Sequence, residues 1–237
     1  MKLVIGPSNG WLFANGIFSL RQQGKFLRRA GATAVEFCGT DDSRRKESLL
    51  SDEEPGEFQH VSLHLSDYDK SKPMLMQLSV AEKIVKRRNP VSCLIHPLEV
   101  PPEYWESLIA RDIPVSIENM DKNKKSGYEL KELKGLLTDF GLEFVLDVQH
   151  AFEHDSTMEY ALDLFLTTKR RLVYLHVSGE TENNNHALVH QSRNREAIIG
   201  FLGTVFSEVN VPIVLEGEYK NSYDVRREIK FLKQELA

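Results

Sequence analysis

Residues 143–150 read EFVLDVQH: an apolar run that ends on Asp147, with an imidazole, His150, three residues further on. A strand buried on both faces reads as such a continuous apolar run, and at this spacing Asp147 and His150 can both face one axis. Capping of a following helix is the plainer role for Asp147. It is disfavoured here because Ser156-Thr-Met-Glu159 has the spacing of a capping box and opens the next helix by itself.

The same pattern recurs on either side. Upstream, VSIEN (115–119) delivers Glu118, VSCLIH (91–96) delivers His96, and VSLHL (61–65) delivers His64. Downstream, LVYLH (172–176) delivers His176 and PIVLE (212–216) delivers Glu216. With KLVIGPS (2–8) and AVEFCG (34–39) these make eight apolar runs, seven of them followed by helical periodicity. Helices are expected over 16–29 and 73–88, from Pro102, through LKELKGLL to a stop at Gly141, from Ser156, over 195–206 and over 225–236. After the second run, TDDSRRKESLLSDEEPGEF (40–58) is charged and weakly periodic, so a loop with at most a short helix is expected.

The expected fold class is α/β, a single (β/α)8 TIM barrel spanning residues 1–237, with the helix after strand 2 short or missing. A chain of 237 residues with 41% hydrophobic content suits it. A doubly wound open sheet would carry a glycine-rich phosphate turn after its first strand, and GPSNG does not match GxGxxG.

Barrel enzymes carry their active sites at the C-terminal ends of the strands, where His64, His96, Glu118, Asp147, His176 and Glu216 fall. Each alone could be a hydrogen-bonded polar residue. Together they would be costly to bury without a shared cation. The composition fits a cytoplasmic enzyme: no apolar run approaches a membrane span, the N-terminus is too short for a signal peptide, and Cys38 and Cys93 read as buried thiols in strands. The net charge of −5 argues weakly against a nucleic-acid-coated surface.

Several segments resemble the endonuclease IV family (AP endonuclease family 2) within the xylose isomerase-like barrels. LDVQHAF is similar to its DxxHAF segment, IENMD to ENT, LIHPLEV to FHPG, VLEGE to LET and VSLHLS to the third-strand histidine. GPSNGWLFANG resembles the opening HVSxxGGLxNA, with Gly6-Pro7 in place of the first histidine. The resemblance implies up to three divalent ions. Glu118 would bridge two, with His64 and His96 on one and Asp147, His176 and Glu216 on the other; Glu118, Asp147 and Glu216 would form the catalytic core. His150 and His186 would hold a third. There Asn184 stands where the family has aspartate, and His190-Gln191-Ser192 stands near its GEG. His190 reads better as a loop histidine than as a ligand. His60 begins a strand and is expected at the non-catalytic end, with Glu153 and His154 facing solvent.

Two chemistries are open on this scaffold. In the first, two ions about 3.5–4 Å apart clamp a phosphodiester, activate water and stabilise the leaving oxygen, and histidine-rich ligation favours zinc. Basic residues in the strand-to-helix loops, Arg44 and Lys122 among them, suit a phosphate-bearing substrate, with DNA and its abasic sites as one candidate. Trp11 and Tyr68 are candidates to stack on a base or sugar, or to pack over the barrel mouth. In the second, one manganese, cobalt or magnesium ion held by Glu118, Asp147, His176 and Glu216 supports sugar isomerisation or epimerisation, with Glu36 or Glu218 as base. His64 and His96 discriminate, because a one-ion site has no need of them.

Overall fold

The computed structural model describes residues 3–39 and 42–237; Lys2, which opens the first apolar run, and Thr40 and Asp41 of the segment after strand 2 lie outside them. In chain order the elements are β1 (Ile5–Pro7), α1 (Gly10–Ala14), α2 (Leu20–Arg29), β2 (Ala34–Gly39), α3 (Ser43–Leu50), β3 (His60–Leu65), α4 (Met74–Arg88), β4 (Ser92–Leu94), α5 (Pro102–Ile109), β5 (Val115–Glu118) and α6 (Leu130–Asp139). They continue as β6 (Glu143–Asp147), α7 (Val148–His154), α8 (Glu159–Thr168), β7 (Leu172–Val177), β8 (Gly179–Thr181), β9 (Asn184–Ala187), α9 (Arg195–Glu208), β10 (Ile213–Leu215) and α10 (Ser222–Glu235).

Eight of the strands form one parallel sheet in the order β1-β10-β7-β6-β5-β4-β3-β2. Its two ends meet: Ser8 and Glu36 form a parallel bridge, Asn9 N–H donates to Glu36 O (2.9 Å), and Thr33 N–H donates to Ile5 O (2.8 Å). The result is the expected (β/α)8 barrel. The seam needs a glycine, because a Cβ on Gly6 would lie 1.8 Å from the Ala34 carbonyl oxygen. That close approach is a physical reason for Gly6 at this position.

The helices bury faces of helical period. In α2 these are Leu20, Gln23, Gly24 and Leu27; in α9 they are Ile198, Phe201, Leu202 and Val205. Most of the apolar core lies between strands and helices. Inside the barrel a smaller group, Leu94, Val145, Tyr174 and Val214, fills the axis. It is accompanied by polar side chains that the strands turn inward, Ser92 Oγ and Ser116 Oγ lying 2.7 Å apart.

Among its described residues, the segment after β2 forms the eight-residue α3 as its one helix. Asp42 Oδ1 caps its start, accepting from Arg44 N and Arg45 N. At the other end the buried Arg88 guanidinium donates to the carbonyls of Ser48, Leu49, Ser51 and Glu53. One side chain on α4 thus satisfies carbonyls that a helix this short leaves open.

Three expectations need correction. The first helix does not run from residue 16. Gly10–Ala14 forms a separate turn, and α2 starts at Leu20 with Ser19 Oγ as its cap. Ser156 opens no helix. Asp155 accepts from Thr157 N–H and Tyr160 N–H, and α8 begins at Glu159 after Met158 in left-handed geometry (φ 66°). Asp147 itself caps α7, its Oδ1 accepting from His150 N–H at 2.6 Å. The antiparallel hairpin β8–β9 was not foreseen; it comes from polar residues that carry no strand periodicity.

Candidate metal centre

Because every barrel strand runs in the same direction, its C-terminal residues share one end. His64 is the penultimate residue of β3, Glu118 ends β5, Asp147 ends β6, His176 lies near the end of β7, and Glu216 follows β10 directly. His96 stands two residues beyond β4. Register ties the group together: Asp147 pairs with His176, and His176 with Val214. Asn119 extends the β5–β6 ladder, its amide donating to Asp147 O and accepting from Asp147 N–H, both at 2.9 Å.

The candidate ligands fall into two nests that share Glu118. In the first, His64 Nε2 and His96 Nε2 are 3.0 Å apart, and His96 Nε2 is 3.0 Å from Glu118 Oε1. In the second, His176 Nδ1 is 2.9 Å from Glu118 Oε2, 3.4 Å from Glu216 Oε1 and 4.0 Å from Asp147 Oδ2. Glu118, Asp147 and His176 are buried, with 2% or less exposed.

The outward-facing nitrogens explain the inward ones. His64 Nδ1 lies 3.1 Å from Leu65 O and His150 Nδ1 lies 2.9 Å from Asn119 O; a carbonyl only accepts, so both Nδ1 atoms donate. In the neutral ring Nε2 then carries the lone pair. His96 Nδ1 faces Asp67 Oδ1 at 2.7 Å, and His176 Nε2 faces Glu36 Oε2 at 3.2 Å. Imidazoles anchored in this way through one nitrogen are arranged as metal ligands through the other.

Electrostatics give the same picture. Burial opposes charge on His96, but Asp67 and Glu118 outweigh it and push its pKa up to about 10. Burial raises Glu216 to about 8; His176 opposes the rise, and the repulsion of Asp147, Glu118 and Glu36 adds to it. His64 is held below the ordinary histidine value by burial and by His96. Without a cation, protons on His96 and His176 must balance the carboxylates.

A divalent ion would replace them, and the residues present fit one. Asp147 Oδ2 is buried without a hydrogen-bond partner, and Glu118 Oε2 and His176 Nδ1, 2.9 Å apart, lack the angle of a good hydrogen bond, a costly condition that a shared cation relieves. Among the described residues, three groups could hold an ion: His64, His96 and Glu118; Glu36, His176 and Glu216; and Glu118, Asp147 and His150.

No family model matches the sequence, and no curated protein sequence matches it. Solved structures do. A D-tagatose 3-epimerase-like protein superposes with a TM-score of 0.68 at 13% identity, covering 99% of this chain and 97% of the other. The structure of AsfvAP:AG gives 0.65 at 11%, covering 100% of both chains. A xylose isomerase domain-containing protein from Salmonella typhimurium LT2 gives 0.64 at 14%, covering 100% of this chain and 99% of the other. What they share with this chain is the fold. It is the (β/α)8 barrel.

Around this centre the other candidates are dispersed. A cavity of about 580 Å³ lies beside Glu216, lined among others by Trp11, Asn15, His186, Glu218, Tyr219 and Lys220. Trp11 packs edge-on against Tyr219, with ring centroids 5.6 Å apart. Tyr68, Arg44 and Lys122 do not line the cavity. Tyr68 packs on Tyr104, Arg44 lies over the Phe18 ring and near Asp42, and Lys122 is exposed in the β5–α6 loop. Other loop cations are taken up in ion pairs, Arg193 with Glu180 and Lys70 with Glu99.

At the third position, the ring centroids of His150 and His186 are 6.0 Å apart. The Asn184 amide is already occupied, accepting from His186 N–H and donating to Glu218. His190 is turned away onto Glu228 of α10. His60 is buried against Tyr174. Glu153 and His154 are half-buried rather than solvent-facing, because His154 stacks on Tyr128 and contacts Met120 O. Sequence reasoning missed Asp67 and Asn119, which act through backbone or histidine contacts and leave no spacing signal. It weighed Glu36 and Glu218 only as bases. Glu218 lines the cavity, whereas Glu36 is fully buried in the barrel.

Proposed function

We propose that this chain is a divalent-metal-dependent phosphodiester hydrolase whose two ions share Glu118. One observation carries the reading: the two carboxylate oxygens of Glu118 face different nests, Oε1 towards His96 and Oε2 towards His176. A one-ion site needs neither His64 nor His96. Zinc is the first candidate, since both nests combine imidazole with carboxylate.

When bound, the ions would polarise the phosphoryl oxygens and lower the pKa of water. His64 and His96 would hold the outer ion, and Asp147, His176 and Glu216 the inner one. Glu118, with one oxygen towards each nest, would be shared by both. Trp11, Asn15 and Lys220 border the adjoining cavity, where an aromatic face and a cation suit the sugar or base and a phosphate of the substrate. DNA with an abasic site is one candidate of that class.

A second reading, single-ion sugar isomerisation or epimerisation, is favoured by the cavity. At about 580 Å³ it has the size of a small-molecule site, and Glu216 and Glu218 both line it.

The test is metal content per chain by mass spectrometry, on protein purified without chelators, together with hydrolysis of bis(p-nitrophenyl) phosphate. Two ions and hydrolysis are expected, with His96→Ala losing one ion and most of the turnover. A folded His96→Ala that keeps full turnover overturns the two-ion hydrolase. A single ion, with ketose epimerisation in place of hydrolysis, establishes the second reading.

A further inference from the structure

Beneath the two nests, one layer deeper in the barrel, lies a carboxylate to which the two-ion reading gives no role. Glu36 is on β2, opposite Ser62 of β3, whereas His64 pairs two positions further up with Cys38. It is fully buried. Three side chains from two strands, β3 and β7, converge on one of its oxygens: Tyr174 Oη–H donates to Oε2 at 2.7 Å, Ser62 Oγ–H at 3.1 Å, and His176 Nε2 stands 3.2 Å away. The other oxygen, Oε1, has no partner.

A buried carboxylate needs a compensating charge. Tyr174 and Ser62 are neutral, so the compensation must come through His176. Since Tyr174 and Ser62 both donate to Glu36, its carboxylate is the acceptor in this network and His176 Nε2 is the donor. The His176 lone pair therefore sits on Nδ1, which faces Glu118, Asp147 and Glu216. The outer nest lacks such support, because His64 is anchored on a neutral carbonyl and His96 on Asp67, whose side chain is 51% exposed.

We propose that Glu36 is a positioning residue for the inner ion. It fixes the tautomer and raises the basicity of His176 from behind, so that the inner position binds more tightly than the outer one. The proposal rests on the two-ion reading above.

The test is zinc titration of the full chain by competition with a chromophoric chelator, for wild type and Glu36→Gln. Glutamine can keep the accepting oxygen at the Oε2 position while removing the charge. The wild type is expected to bind zinc in two distinguishable steps. Glu36→Gln is expected to weaken the tighter step by roughly 10- to 100-fold, the usual effect of losing an outer-shell partner, and to leave the weaker step within about twofold.

A second readout reports the hydrogen bond itself. In zinc-loaded protein with 15N-labelled histidine, the His176 Nε2–H proton should resonate far downfield and move upfield in Glu36→Gln, with the His64 and His96 signals unmoved. Tyr174→Phe, which keeps the carboxylate, should shift both readouts in the same direction by less, and it carries the test if Glu36→Gln does not fold. Wild type that binds no zinc overturns the two-ion reading and this inference with it. Two-step binding unchanged by either variant, or weakened equally at both steps, overturns the Glu36 assignment alone.

Discussion

The two halves of the candidate centre are built differently. The inner half, Asp147, His176 and Glu216 over Glu36, rests on a buried hydrogen-bond network: Asp147, His176 and Glu36 are strand residues with no exposure, and Glu216, just past β10, has 18% of its side chain exposed. The outer half, His64 and His96, lies where β3 and β4 give way to loops, and its supporting carboxylate, Asp67, is half exposed. Similar residue types therefore sit in unequal environments. Desolvated charges interact more strongly and exchange less readily than solvated ones, so the inner half should be the stable anchor and the outer half the adjustable one.

The largest effect should come from the residue common to both halves. Glu118→Gln is expected to lower metal content at both positions and cut kcat on the order of 1,000-fold or more, as when several kcal/mol of transition-state stabilisation are lost. Retention of two ions would mean that Glu118 bridges nothing. Next, Asp147 separates metal binding from folding. Its Oδ1 caps α7 and its Oδ2 faces the nest. Asp147→Asn should lose the inner ion while keeping the cap, and Asp147→Ala should lose both. In chelated protein the two should differ by about 1 kcal/mol, or roughly 2–4 °C in thermal midpoint.

A smaller effect tests the region below the centre. Burial lowers the His60 pKa to about 4, partly opposed by Glu36. Because the unfolded chain takes up the proton first, His60 contributes stability above about pH 6.5 that is lost as pH falls towards 4. In chelated protein, His60→Gln should flatten that acid loss by on the order of 2 kcal/mol, measured by denaturant midpoints across the window. The smallest expected change is in the cavity. Trp11→Ala should raise KM several-fold with kcat nearly unchanged, because the ring borders the cavity without contacting the ligand nests. A fall in kcat alone would remove Trp11 from substrate contact.

The barrel and the direction of its site were legible in the chain because parallel buried strands must be continuously apolar, and a polar group is tolerated where they end. Glu118 and Asp147 stood out for that reason. The Asp147 cap was misread because Ser156 offered a familiar spacing, whereas the chain turns on Asp155. The β8–β9 hairpin was illegible, since its Glu180 is held by Gln149 and Asn194 from outside the hairpin.

The sequence by itself determined the strand–helix alternation and which ionisable groups end at one face. Those follow from local periodicity and from chain direction. Only the tertiary structure decided that Glu118 splits its oxygens between two nests, that Asp67 and Glu36 stand behind His96 and His176, and that Arg44, Tyr68 and Lys122 lie away from the cavity. These relations join residues distant along the chain. The closure of the sheet sets them, and no spacing within one strand records them.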